Sequence, residues 1–235
     1  NKKITNDGIK NILCMQYLHL NDNINIMDDG ISFMINLQFL NLCRNSCISN
    51  NGISLMVNML YLNLYDNNKI DDNGISHLNK MLALELNSAE YITDDGLKHM
   101  NLLSLGLCCR SNITNKGIEH MCDIIRLDLS FNKVITNISH MINMRYLDLT
   151  HNTKINNNTV FSLHYIEYID ISYNCLITDC IVYKLYRIKC ISYSADIYSQ
   201  LKYKLNTYSN NILPIALIGE GYNRQAELVY FIRRA

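Results

Sequence analysis

The pattern Leu-x-x-Leu-x-Leu-x-x-Asn returns along the chain at nearly constant intervals, and no other feature limits the fold as tightly. It reads Met15-Leu18-Leu20-Asn23, Leu37-Leu40-Leu42-Asn45, Met59-Leu62-Leu64-Asn67 and Met81-Leu84-Leu86-Ala89. It continues as Leu102-Leu105-Leu107-Arg110, Ile124-Leu127-Leu129-Asn132, Met144-Leu147-Leu149-Asn152 and Ile166-Ile169-Ile171-Asn174, with a decayed ninth copy at Leu185-Ile188-Cys190-Tyr193. The copies start at 15, 37, 59, 81, 102, 124, 144, 166 and 185, so the intervals are 22, 22, 22, 21, 22, 20, 22 and 19 residues. Leu-x-Leu has the period of a strand with one face buried. Self-similarity at a fixed period specifies a stacked array, because one unit cannot bury its apolar face alone whereas neighbours in register can.

A second block separates the strands: Ile4-Thr5-Asn6-Asp7-Gly8-Ile9, Ile48-Ser49-Asn50-Asn51-Gly52-Ile53, Ile92-Thr93-Asp94-Asp95-Gly96-Leu97 and Ile113-Thr114-Asn115-Lys116-Gly117-Ile118. Thr, Ser or Asp after the first Ile reads as a helix N-cap, and acids in the next positions suit the positive end of a short helix. An apolar anchor follows three residues after the last Ile or Leu, at Met34, Met56, Leu78, Met100 and Met121. Each unit is thus a short strand, a turn and a short helix.

With both blocks in view, the chain from Ile4 to Tyr193 resembles the leucine-rich repeats, and within them the cysteine-containing subfamily of F-box substrate receptors of ubiquitin ligases. The resemblance implies an α/β solenoid with a curved parallel sheet on the concave side and short helices on the convex side. Residues 1–193 are expected to form this solenoid in about nine repeats of 19–22 residues, with 194–235 as a C-terminal cap or tail. The subfamily often has Cys where this chain has Asn23, Asn45, Asn67, Asn132, Asn152 and Asn174, and no F-box is visible.

Composition narrows the function classes. Lys plus Arg and Asp plus Glu both number 21, whereas nucleic-acid binders draw most of their affinity from a basic excess. The longest apolar run, Ile212 to Ile218, is too short to span a bilayer. No charged-then-apolar leader opens this stretch of sequence, which starts at Asn1. The nine cysteines are odd in number and include no CxxC pair, which points away from a zinc ribbon or a closed disulfide framework and toward free thiols in a reducing compartment, cytoplasm or nucleus. The sequons at Asn112, Asn137 and Asn157 would matter only in a secreted protein.

Features that suggest chemistry have structural readings. The Asn column is expected to satisfy buried backbone groups, with weakness at Ala89 and Arg110 where it fails. His77, His99, His120 and His140 recur on successive helices, too far apart to share a metal. Asp28-Asp29, Asp71-Asp72 and Asp94-Asp95 lack the ligand spacing of a calcium loop and read as helix caps. Ile212 to Gly221 lacks the third Gly and Lys-Ser/Thr pair of a phosphate loop. No nucleophile–base or paired-carboxylate arrangement stands out, so no catalysis and no cofactor are expected.

The residues between the Leu positions face outward and form rows across neighbouring strands. One row reads Tyr17, Phe39, Tyr61, Ala83, Ser104, Arg126, Tyr146, Tyr168, Arg187, and the next reads His19, Asn41, Asn63, Glu85, Gly106, Asp128, Asp148, Asp170, Lys189. Exposed aromatics make binding anchors, and adjacent like charges destabilise a sheet. The expected protein-binding residues are therefore Tyr17, Phe39, Tyr61, Glu85, Arg126, Asp128, Tyr146, Asp148, Tyr168 and Asp170. The partner expected is a protein presenting a basic segment, bound by a monomer, with no nucleic acid and no membrane. The leading function is a non-catalytic protein-interaction module, in its narrower form substrate recognition in a ubiquitin-ligase adaptor. A structural scaffold and the regulatory repeats of an enzyme are the alternatives.

Overall fold

Three-residue strands are all that the Leu-x-Leu signal supports, and three residues is what each strand spans. The computed structural model describes residues 4–178, 180, 181, 187–192 and the backbone of 216–218. These divide into two compact units, Asn1–Met121 and Cys122–Ala235. The boundary expected at 193/194, and nearly all of the expected cap, lie outside the described residues.

In the first unit the order is α1 (Asn6–Ile9), β1 (Tyr17–His19), α2 (Asp28–Ile31), β2 (Phe39–Asn41), α3 (Asn50–Ile53), β3 (Tyr61–Asn63), α4 (Asp72–Ile75), β4 (Ala83–Glu85), α5 (Asp94–Leu97), β5 (Ser104–Gly106) and α6 (Asn115–Ile118). Every strand pairs in parallel with the next, and the central residues align as Leu18, Leu40, Leu62, Leu84 and Leu105. All five are buried, as are the anchors Met34, Met56, Leu78, Met100 and Met121. The helices are single turns, and Ser49, Asp71, Thr93 and Thr114 cap theirs through the side chain as expected.

The second unit holds β6 (Arg126–Asp128), β7 (Tyr146–Asp148), α7 (Asn157–Phe161), β8 (Tyr168–Asp170), β9 (Cys190–Ser192) and the backbone of β10 (Ala216–Ile218), again paired in parallel. No helix lies between β6 and β7 among the described residues, where the repeat is 20 residues long. The ninth copy sits three residues later than the sequence pattern placed it. Tyr168 opposes Cys190, Ile169 opposes Ile191 and Asp170 opposes Ser192. Ile188 and Ile191 supply the buried positions, so the interval from Ile166 to Ile188 is again 22 residues. Leu185, Ile188, Cys190 and Ile191 are all apolar, so burial pattern alone left the register open. In this register Cys190 and Ser192 take the row positions expected for Arg187 and Lys189, with Cys190 buried and Ser192 partly exposed.

Two polar ladders bind the repeats together. Asn45 donates from Nδ2 to the carbonyls of Leu20 and Asn23 at 3.0 and 3.1 Å, and its Oδ1 accepts the N–H groups of Cys47 and Ile48, both at 2.9 Å. Asn67 and Asn152 repeat this. At the break the turn is held otherwise: Ser111 Oγ accepts from Ile113 N–H, and Asn112 Nδ2 donates to the Glu90 carbonyl at 2.6 Å.

The second ladder runs along the helices. Asp28 accepts from both the N–H and the hydroxyl of Ser49, at 2.8 and 2.6 Å; Asp72 does the same for Thr93 and Asp94 for Thr114. Asn6, Asn50 and Asn157 hold the next repeat similarly. Of the paired acids only Asp71 is an N-cap; Met27 and Thr93 hold that place before Asp28 and Asp94, and one acid of each pair, Asp28, Asp72 or Asp94, braces the following repeat instead. This also explains the helix glycines, since an added Cβ would stand 2.5 Å from Asn6 Oδ1 at Gly30 and 2.5 Å from Asp28 Oδ1 at Gly52.

Candidate functional site

The outward rows have different characters in the two units. In the first, Tyr17 and Phe39 stack with ring centroids 4.5 Å apart and Phe39 and Tyr61 with centroids 6.1 Å apart, in the one-to-one register of their strands. Tyr17 is about half exposed and the other two are partly covered. In the neighbouring row Asn41 Oδ1 accepts from Cys43 N–H at 2.9 Å and Asn63 Oδ1 from Tyr65 N–H at 2.8 Å. These are Asx turns that shape the chain leaving each strand. Glu85 does not belong with the exposed residues. It is 7% exposed, accepts from Asn87 Nδ2 at 3.3 Å, and its carboxylate fills the space that a side chain at position 106 would need. Gly106 makes that burial feasible.

In the second unit Tyr146 and Tyr168 stack at 4.7 Å with ring planes 4° apart. Arg126 is partly exposed and opposes Tyr146. The mutually stacked tyrosines turn one face each toward the other, so the inner faces are closed to a cation. Asp128, Asp148 and Asp170 oppose one another across consecutive strands. Each makes the Asx turn seen at Asn41 and Asn63: Asp128 accepts from Ser130 N–H, Asp148 from Thr150 N–H and Asp170 from Ser172 N–H, all at 2.9 Å. Asp128 also takes the Ser130 hydroxyl at 2.6 Å and is 6% exposed, so it is covered where Asp148 and Asp170 are partly open.

A further column was missed by the sequence rows. Phe131 stacks on His151 at 4.5 Å and His151 on Tyr173 at 4.3 Å. Each lies three residues after an Asp of the acidic row, and Phe131 and Tyr173 are about half exposed. All three hold a left-handed backbone, with φ of 57°, 54° and 56°, a region that bulky side chains enter at a cost. The signal was present at the motif position before the ladder Asn. Along the strands, then, an acidic row lies between two columns of rings.

Lys189 forms an ion pair with Glu167 at 2.7 Å, and that hydrogen bond holds the ammonium charged to higher pH than usual. Burial pushes the Cys43 thiol up. His77 and His120 reach back to the carbonyls of Ile53 and Met100 in the preceding repeats, at 3.2 and 3.1 Å. They tie repeats together, and no group of His, Cys, Asp or Glu suited to a metal ion is found among the described residues. No helix among them is long and apolar enough to cross a membrane.

No protein-family model matches the sequence, and no curated protein matches it. Solved structures do. An internalin of Listeria monocytogenes aligns with a TM-score of 0.57 at 16% identity, over 92% of this chain and 64% of its own. The TLR13–ssRNA13 complex aligns at 0.49 and 18% identity, over 74% of this chain and 31% of that one. A second Listeria monocytogenes protein, internalin C2, aligns at 0.47 and 18% identity, over 65% and 70%. The chain spans less than two thirds of the length of the first two. The fold is that of the leucine-rich repeats, as the sequence implied.

Proposed function

We propose that this chain is a protein-interaction module whose second unit binds a basic segment of another protein. The observation that carries this is the row Asp128, Asp148, Asp170. Asn41 and Asn63 make the same Asx turn without charge, so turn geometry does not require carboxylates, and three of them in register raise the local negative potential. A negative row steers cations and repels phosphate chains, in keeping with the overall balance of 21 basic and 21 acidic residues. The hydroxyls and edges of Tyr146 and Tyr168 supply contact area beside it.

The test is affinity capture with the full chain at low ionic strength, followed by a salt step. A protein that carries a Lys/Arg-rich segment and elutes as salt rises supports the reading, since exposed charges are screened beyond about 10 Å at 0.1 M salt. Retention only of proteins without such a segment contradicts it. The narrower role in a ubiquitin-ligase adaptor rests on the repeat resemblance alone, and recovery of ligase scaffold subunits in the same capture is its test.

A further inference from the structure

Cys108 and Cys109 are adjacent in sequence, and no other two cysteines of the chain are. Consecutive side chains in a strand point to opposite faces, which would hold two such thiols apart. Here the strand has ended at Gly106, and Cys109 takes the left-handed conformation at φ 69°. That turn swings the second side chain round to the first, and the two Sγ atoms stand 2.8 Å apart. This is less than an ångström longer than a disulfide bond of about 2.05 Å. The backbone around the pair is fixed from the preceding repeat: Cys108 N–H donates to Asn87 Oδ1 at 2.7 Å, and Ser88 N–H donates to the Cys108 carbonyl at 3.2 Å. Both thiols are partly exposed, so a small oxidant can reach them.

We propose that Cys108 and Cys109 are a vicinal dithiol that hydrogen peroxide converts to an intramolecular disulfide. One sulfur, as thiolate, attacks a peroxide oxygen; the O–O bond breaks, hydroxide leaves and takes up a proton as water, and a sulfenic acid remains. The neighbouring thiol then attacks that sulfur; the S–S bond forms, the S–O bond breaks, and a second water leaves with the remaining proton. The two sulfurs lose two electrons in total and one peroxide is reduced to two waters. Juxtaposition makes the second step intramolecular, so it outruns further oxidation of the sulfenic acid. Cα atoms joined by one trans peptide lie about 3.8 Å apart, short of the usual 4.4–6.8 Å across a disulfide, so the ring is strained and a thiol reductant reopens it.

The test treats the folded full chain with limiting hydrogen peroxide, alkylates the remaining thiols and digests with trypsin. Cleavage after Lys98 and Arg110 releases His99–Arg110, which contains both cysteines and no others. The expected product is this peptide without alkyl groups and lighter by two hydrogens, restored by dithiothreitol, while Cys14, Cys122 and Cys175 remain alkylated. In urea the selectivity should disappear, because the turn that aligns the sulfurs is lost, and Cys109→Ser should leave Cys108 as a sulfenic acid trapped by dimedone. Full alkylation of both cysteines at doses that oxidise the exposed ones would overturn the proposal. So would joining of either to a different cysteine, or equal selectivity in urea.

Discussion

Asn67 is almost wholly screened from water yet makes four hydrogen bonds, two donated by Nδ2 and two accepted by Oδ1. Asn67→Asp keeps the shape and both accepted bonds but turns a carboxylate toward the carbonyls of Leu42 and Asn45. It should cost at least the 1–3 kcal/mol of an unsatisfied buried polar group, read as a lower denaturation midpoint, and an unchanged midpoint would refute the ladder. Leu127, 1% exposed, fills the Leu column of the second unit, and Leu127→Ala should cost about 2–5 kcal/mol by urea unfolding. Both roles were legible in the sequence because period and residue type coincide. The left-handed turn before each ladder position was not: Asp22, Arg44, Asp66, Ser88, Cys109, Phe131, His151 and Tyr173 occupy it, and no Gly or Asn marks it.

At the scale of the element, a four-residue helix has too few internal hydrogen bonds to stand alone and is held by its neighbours. Gly52 and Asp28 illustrate the dependence. Gly52→Ala pushes a methyl into the Asp28 carboxylate and should cost about 1–3 kcal/mol. Asp28→Ala removes the carboxylate from that clash, leaving Ile48 Cγ2 at 2.9 Å from the added methyl, and gives up both bonds to Ser49. The double variant should therefore cost less than the sum of the two single ones by urea unfolding, because contacting residues couple; additivity would mean that the two do not touch. Reading the acids as caps placed them at the right helix ends, but it holds as a cap for Asp71 alone and missed the brace, since sequence spacing within one repeat does not show which side chain reaches the next. The ninth strand was misplaced for a related reason. With Leu185, Ile188, Cys190 and Ile191 all apolar, only pairing with β8 fixes the register.

At the scale of the whole molecule, the repeat constrained the fold far more than the function. A stacked array follows from the Leu and Asn columns, whereas which outward residues stay open depends on packing between strands. Glu85 and Asp128 are covered, and Phe131, His151 and Tyr173 form an unforeseen column. The acidic row remains the center of the functional account, and its charge can be removed without removing its turns, because Asn41 and Asn63 show that Asn makes them. The most direct measurement is the association rate of the Asp128→Asn/Asp148→Asn/Asp170→Asn variant with the captured partner at low salt, beside the parent chain. The variant should fold as well as the parent or slightly better, associate several-fold more slowly, and lose most of the salt dependence of its on-rate. A variant that is equally stable and associates as fast as the parent at low salt would show that the acidic row belongs to the repeat and not to a binding site.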